Sequence, residues 1–596
     1  MGAGVITWSS SDPAIATVNT LGVVTGVSPG QTQIVASGSG KKGQAALTVT
    51  SSQEMQCPTG ATLELRIGEV VTLNAAQVAS LCLGIAALPS EYVLIPFSNS
   101  ATAASTVSLQ VTGTHTEAIV IPPLASQQAE RRQPSGMTAL LGQQPSLPDM
   151  GIEAAFRERE RRELRALGAL RATGARALPT VPSRLTGVPA APLVGSVVPI
   201  NARLTGGGCE AKQPSLARVV AVLRHTIVLI DQEAPAGGYT DAELTAFATS
   251  FDTLGYPLDT LNFGAPADID GNGRVAILFT PGVNLIPGPP GSFIGGLFYA
   301  RDLFAATGVA SCAGSNEGEL FYMAVPDPNQ TINGNYRSKT ALSNLVLATL
   351  VHEFQHLINA SRRMFVNNAA SNAEEPWLNE GLSHIAEELL YYRVSGNTAR
   401  ANISLDVLRT SQAQVDAFNT YIAQNFGRLA QYLAAPSTNS PFAQTDGLAM
   451  RGAIWELLRY SADRKGGNER NTWYALVNSS ASGQANFNAV FGDIIANTRD
   501  WAVAQFLDDA GLLVADRYTY PSWNFRSIYP ALTNPSRFPL ATSSLVDGAP
   551  LALQLNGGAA AYVRFRVPAS VAANVACTSA GQAVPASVDF ILVRTQ

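Results

Sequence analysis

The sequence predicts a multidomain protein: an α+β domain flanked by all-β modules. Three observations predict it. Short alternating β runs, broken by Gly, Pro, Asn and Asp, fill both ends of the chain. Apolar residues at helical spacing dominate the middle, most densely from 345 to 508. The chain has 596 residues, too many for one hydrophobic core, and suggests three or four domains. The expected boundaries are 1–52 and 53–115 for two β units, 116–200 for a linker-like segment, 201–535 for the α+β domain, and 536–596 for a β-sandwich. Net charge is −5 without a lysine-rich stripe, so nothing recommends a nucleic-acid partner. No run of eighteen apolar residues exists, so no transmembrane helix is expected.

Residues 5–50 hold short β runs punctuated by S-D-P, L-G and S-P-G turns. The strings W-S-S-S-D-P and G-V-V-T-G-V-S-P-G resemble the bacterial Ig-like domain, group two. That resemblance implies a spacer or adhesive module on an exported protein, with the spacer role expected and cell-surface association through the module as a second use. The opening M-G-A-G-V-I-T-W has neither a basic n-region nor an apolar h-region, so it is not a signal peptide. The module's usual first strands are absent, so the natural chain is expected to start further upstream.

Residues 53–115 read as β, with strands near 63–67, 92–97 and 106–112. Cys57 and Cys82 are expected to bridge there; closing a loop of about 25 residues would contribute roughly 3 kcal/mol. Between 116 and 200 lie linker-like stretches around F-R-E-R-E-R-R-E-L-R-A-L-G-A-L-R-A. Its interleaved Glu and Arg support a solvated helix, or a pro-segment, and its arginines make it the easiest place for processing.

In 201–535, strands are expected at 225–230, 275–279 and 319–325, and a helix at 240–254 opening on the capping signal T-D-A-E. In D-I-D-G-N-G-R, Asp268, Asp270 and Asn272 take the first three oxygen positions of a calcium loop, with Gly273 at its sharp turn. Position twelve is Phe279, so no glutamate closes the loop, and a plain turn into a strand is the simpler reading. Cys209 and Cys312 are expected to form a second bridge. No C-x-x-C pair exists, which argues against a cysteine zinc site.

The stretch 345–359, L-V-L-A-T-L-V-H-E-F-Q-H-L-I-N, contains H-E-x-x-H. Residues four apart share a helix face, so His352 and His356 reach one metal ion, while Glu353 sits where it can move a proton without being a ligand. Leu347, Leu350, Phe354, Leu357 and Ile358 bury this helix, where unpaired polar groups are costly. A zinc site of this kind takes a third protein ligand and leaves a fourth position open. Glu380, in P-W-L-N-E-G-L-S-H-I-A-E-E-L from 376 to 389, is the candidate; Pro376 suits the helix start. Glu387, two turns on, is expected to accept from a ligand histidine. Glu374, Glu375 and Glu388 are expected on the surface.

H-E-F-Q-H followed by W-L-N-E-G resembles the gluzincins, zinc peptidases with a glutamate ligand. With D-I-D-G-N-G-R-V-A-I-L-F-T and G-S-N-E-G-E-L-F-Y-M-A-V-P-D-P, the surroundings resemble the hyicolysin family of secreted bacterial metallopeptidases, over about 210 to 535. The resemblance implies a zincin-like catalytic domain with one zinc per chain. Thermolysin-like enzymes carry an aspartate four residues after the ligand glutamate. Here that position is His384, which leaves Glu387 as the orienting residue and His384 beside it.

Residues 400–510 are expected to be helical and to close the cleft; Arg451 and Tyr460 are noted as candidate oxyanion donors. From 540 the chain returns to β and ends in a strand, so this unit is expected to be cut short, with the partner of Cys577 beyond Gln596. The reading is an exported zinc endopeptidase acting on peptides or proteins. Zinc on His352, His356 and Glu380 activates a water, and Glu353 is the general base. Two rivals are an aminopeptidase, for which no G-x-M-E-N-type block is found, and a surface-binding protein with a structural zinc domain, to which Glu353 would be useless.

Overall fold

The alternation that marks both ends of the chain as β also brings them together. The computed structural model describes residues 6–28, 30–49, 62–119, 150–174 (for 150–154 and 168–174 the backbone only), 192–205, 209–210, 214–286, 294–308, 311–334, 336–367, 373–533 and 537–596. The N-terminal region has a three-stranded sheet of Thr7–Ser10, Gly30–Gly38 and Lys41–Val49 and a two-stranded one of Ala16–Val18 and Val24–Gly26. Ala16, Thr32 and Ile34 are its buried residues.

The β stretches expected as separate units at 53–115 and 536–596 form one sandwich. One sheet runs Leu551–Asn556, Thr106–Thr114, Ala573–Thr578, Leu81–Leu83, Thr62–Leu63. The other runs Ser543–Ser544, Val563–Val567, Ser90–Ser98, Val588–Arg594, Val70–Leu73. Strands of early and late sequence interleave: Leu109 faces Leu553 and Leu94 faces Leu592. The physical reason is coverage. Each segment presents an apolar stripe, such as Val107, Leu109 and Val111, that only the other segment's strands can bury. The last strand, Val588–Arg594, is therefore paired on both sides. Cys577 lies in this interior as a buried thiol, pushed up to about 12 by burial. Cys82 is disulfide-bonded; its expected partner Cys57 lies outside the described residues.

Between the two halves of the sandwich runs the α+β region. Its six-stranded sheet comprises β1 (Val197–Ile200), β2 (Ser215–Val222), β3 (Thr226–Asp231), β4 (Val275–Phe279), β5 (Gly296–Phe298) and β6 (Leu320–Met323), in the order β1-β2-β3-β4-β6-β5. β3, β4 and β6 are parallel and β5 is an antiparallel edge. Cys209 and Cys312 are bridged. The helices that matter here are α1 (Met150–Gly174), α2 (Asp241–Ser250), α3 (Tyr256–Phe263), α4 (Lys339–Ser361), α5 (Pro376–Ser395), α6 (Ala423–Leu433), α7 (Leu448–Lys465) and α8 (Ile494–Leu507). α2 opens on the Thr240/Glu243 capping box and continues past Leu254 through a π turn into α3.

α1 is not solvated all round, as its Glu/Arg pairs suggested. Phe156, Glu160, Leu164 and Leu167 recur at helical spacing and are buried against the α+β region. α8 packs Ala502, Val503, Phe506 and Leu507 on the outer face of the sandwich, against Val93, Ile95, Phe97, Ile591 and Val593. That covering explains why Ser90–Ser98 reads as a continuous apolar run: it is buried on both faces.

The shared core is testable. Phe565, fully buried, stacks on Tyr92 with ring centroids 5.6 Å apart. Phe565→Ala should cost about 3–5 kcal/mol and make residues 62–114, far away in sequence, sensitive to limited proteolysis. Two independent units would leave that segment protected.

Candidate metal centre and its cleft

α4 begins at Ser338, whose hydroxyl accepts the Ala341 amide, and Val346, Leu350, Val351, Phe354, Leu357 and Ile358 bury it. α5 begins at Pro376 and ends at Gly396, which takes a left-handed conformation with φ 76°. The two helices pack together, and Asn359 Nδ2 donates to Asn379 Oδ1 at 2.8 Å across them.

This packing brings three donors to one point. His352 Nε2 and His356 Nε2 lie 3.2 Å apart, and each lies 3.6 Å from an oxygen of Glu380. All three residues are buried. The triangle fits a metal: tetrahedral ligands at about 2.0–2.1 Å from zinc sit roughly 3.3 Å from one another. A cation at the centre would satisfy both imidazole nitrogens and the carboxylate together. Glu380 Oε2 is buried, with Arg451 Nη2 at 3.1 Å and His352 Nε2 at 3.6 Å. Burial pushes the Glu380 carboxyl upward, but Arg451 and the imidazoles hold it well below the usual range.

Each donor is held from behind. His352 Nδ1 meets Glu387 Oε1 at 2.8 Å, which orients the ring so that Nε2 faces the centre. Glu387 Oε2 is 3.1 Å from His384 Nδ1 and 3.5 Å from Arg428 Nη1. Burial drives the His384 imidazole down to about 3, so it stays neutral. His356 Nδ1 lies 3.1 Å from Ser383 Oγ. Arg451 sits 3.1 Å from Glu380 and forms a two-pronged pair with Asp446 at 2.5 and 2.6 Å. It therefore anchors the glutamate and is not poised for an oxyanion. Tyr460 is a core residue whose hydroxyl donates to the Arg517 carbonyl.

Two acids expected at the surface are buried. Glu374 pairs with the buried Arg363, and Glu388 accepts from Trp523 Nε1 at 2.6 Å with Arg459 at 3.4 Å. Burial pushes Glu388 up to about 7. Partners distant in sequence make both burials tolerable, and spacing along one helix could not reveal them.

Glu353 faces the edge strand. Its Oε2 accepts the Phe298 amide of β5 at 2.8 Å and pairs with Arg157 Nη2 of α1 at 2.8 Å. Arg157 Nη1 also donates to the Phe298 carbonyl at 3.0 Å, and Glu160 Oε1 accepts the Ala300 amide at 2.7 Å. α1 thus occupies the polar groups of the edge strand beside the metal donors. Cavities open on either side of this contact. One is lined by Gly295, Thr349, His352 and Arg428, the other by Leu164, His356, Asn359 and Glu380. Arg157, Ser383, Arg428 and Asp446 were not singled out from sequence. Only α1 carried a signal, the spacing of Phe156, Glu160, Leu164 and Leu167.

Asp268, Asp270 and Glu319 form another group of acids, and Asn272 lies beside Asp270.

The chain's likenesses agree with this division. Residues 2–51 match the family described as bacterial Ig-like domain (group 2). The chain is also similar to a neutral metalloprotease, ShpI of Staphylococcus hyicus: 30% identical over 150 residues, or 25% of this chain and 31% of that protein. The match thus spans about a third of the relative. No described helix is long and apolar enough to cross a membrane.

The role of Glu387 is open to measurement. Glu387→Ala should weaken zinc affinity by roughly 10–100-fold, as loss of an orienting partner does, without altering the stoichiometry. Unchanged affinity by competitive chelation would remove Glu387 from that role.

Proposed function

We propose that the chain is an exported zinc-dependent endopeptidase with a zincin-like domain of the gluzincin, hyicolysin type. The observation that carries this reading is the convergence of His352, His356 and Glu380, with Glu353 on the same helix turned toward β5 rather than into the donor set. His352, His356 and Glu380 would hold a zinc ion, which would supply the Lewis acidity to acidify a water and polarise a carbonyl. Three protein donors leave a fourth position for that chemistry, where a structural site would be closed by four. A peptide pairs along the β5 edge, past the donors. Glu353 accepts the proton of the attacking water and passes it to the leaving amine. The similarity to a metalloprotease supports the reading. The Ig-like module serves as a spacer.

Glu353→Gln keeps shape and a polar side chain but cannot take that proton. It should retain about one zinc per chain while peptide hydrolysis falls by roughly 10²–10⁴-fold. Equal hydrolysis by both forms would place the chemistry elsewhere; no hydrolysis by either, once freed of α1, would favour a structural zinc domain.

Within this reading, the pro-segment is the part of residues 116–200 that carries α1, short of strand β1, and α1 closes the cleft. Arg157 holds the proton acceptor, and Glu160 takes the Ala300 amide beside β5. The uncleaved chain should hydrolyse peptides slowly, and proteolysis at arginines on either side of α1 should release activity. Removing one partner of a buried pair costs roughly 3–5 kcal/mol. Arg157→Ala should therefore raise the activity of the uncleaved chain by roughly 10²-fold or more. An uncleaved wild type as active as the processed one would end the pro-segment reading and leave the peptidase reading intact.

A further inference from the structure

Fifty residues beyond the D-I-D-G-N-G-R loop, the fold supplies the acid that the loop lacks. The loop precedes β4 and Glu319 precedes β6, and these strands are parallel neighbours. Their N-terminal ends therefore lie side by side, and the Ala276 amide donates to the Glu319 carbonyl at 2.8 Å. One carboxylate oxygen each from Asp268, Asp270 and Glu319 lies within 4.8 Å of the others. Asp268 is exposed, while Asp270 and Glu319 are only 3% and 2% exposed.

The loop is shaped by its own backbone. Gly271 and Gly273 take φ 70° and 66°, which L side chains rarely adopt. The Gly273 amide donates to Asp268 Oδ2 at 3.0 Å, and the Asn272 amide to Asp270 Oδ1 at 3.1 Å. Asn272 Nδ2 lies 2.6 Å from Asp270 Oδ2. Those bonds fold the loop but do not explain Glu319. Its Oε1 accepts the Ile269 amide at 2.9 Å. Its Oε2 is buried beside the two aspartates and has no hydrogen-bond partner. Among the described residues, no ion pair reaches any of the three carboxylates. A buried, unpartnered carboxylate oxygen beside two further acids is costly unless a cation meets it.

We propose that Asp268, Asp270 and Glu319 bind a calcium ion distinct from the His352/His356/Glu380 centre. The donor set is all oxygen, which suits a hard cation. A flexible loop with a distant carboxylate suits the larger calcium rather than magnesium, which demands tight octahedral geometry. Burial and the neighbouring aspartate push the Asp270 carboxyl up to about 7, as expected of acids crowded without their counter-ion. The ion would fasten the loop to the sheet. The loop in turn meets the end of α4: the Ala267 amide donates to Ser361 Oγ at 3.2 Å, and Arg362 Nη1 to the Ala265 carbonyl at 2.5 Å. The site thus steadies the helix that carries His352 and His356, without touching the metal donors.

The test uses the full chain, stripped by chelator, reloaded with zinc, then titrated with calcium chloride and separately with terbium as a luminescent probe. One calcium should bind per chain, within the range of about 10⁻⁷ to 10⁻³ M spanned by oxygen-ligand sites, and raise the unfolding temperature; magnesium should not replace it. Glu319→Gln and Asp268→Asn should each weaken calcium and terbium binding at least about tenfold, a loss of 1.4 kcal/mol, with zinc content unchanged. Asp268 is exposed, so its variant folds even if burial makes the Glu319 variant fragile. Absence of saturable calcium binding to the wild type, or full binding by both variants, overturns the proposal. Neither result depends on peptidase activity.

Discussion

Two imidazole nitrogens held 3.2 Å apart, with a carboxylate 3.6 Å from each, set the constraint on which the α+β region depends. Such a group keeps its spacing only if each member is held in place. It has to be fixed from behind. Glu387, Ser383 and Arg451 do this for His352, His356 and Glu380, and Arg428 and Asp446 hold two of the three in turn. Both arginines come from the contact of α6 with α7. That contact needs Gly452: a Cβ there would lie 2.2 Å from the Leu429 nitrogen and 2.3 Å from the Arg428 carbonyl carbon. A side chain at 452 would thus push apart the two helices that deliver the arginines.

The convergence of His352, His356 and Glu380 was legible because the spacing within each helix is local. H-E-x-x-H places two rings on one face whatever surrounds the helix, and Pro376 and the apolar spacing after it mark a second helix. β4 was legible for the same reason, as a bounded apolar run. What sequence hid is contact between distant segments. Nothing in D-I-D-G-N-G-R points to Glu319, nothing near Glu388 points to Trp523, and nothing in 53–115 points to 536–596. The sandwich was read as two units because each half alternates correctly by itself; only the pairing register shows that neither half buries its own stripe.

α1 was misjudged for a different reason. Its many Glu and Arg residues dominate any reading of composition, yet four residues at helical spacing decide which face is buried. Burying Arg157 and Glu160 is tolerable because both Arg157 Nη atoms and both Glu160 oxygens are used. Arg157 meets Glu353, Glu160 and the Phe298 carbonyl, and Glu160 also takes the Ala300 amide. Such a contact is specific rather than greasy. It depends on charged partners, with Phe156, Leu164 and Leu167 as its apolar part.

The sandwich bears on the same centre through α8. Tyr562, on the sandwich, donates to the Ala502 carbonyl at 2.7 Å and to Gln505 Oε1 at 2.8 Å. Gln505 Nε2 donates in turn to Glu456 Oε2 at 3.3 Å. Glu456 lies on α7, five residues after Arg451, and burial pushes it up to about 8, so near neutral pH it is largely protonated. A protonated carboxyl can both accept from Gln505 and donate onward, which suits a buried chain of hydrogen bonds better than an unpaired charge would. The two ends of the sequence thus hold α7 in place, and α7 holds Glu380 through Arg451. A domain whose α4 and α5 lie in the middle of the chain is in this way registered against strands drawn from both sides of it.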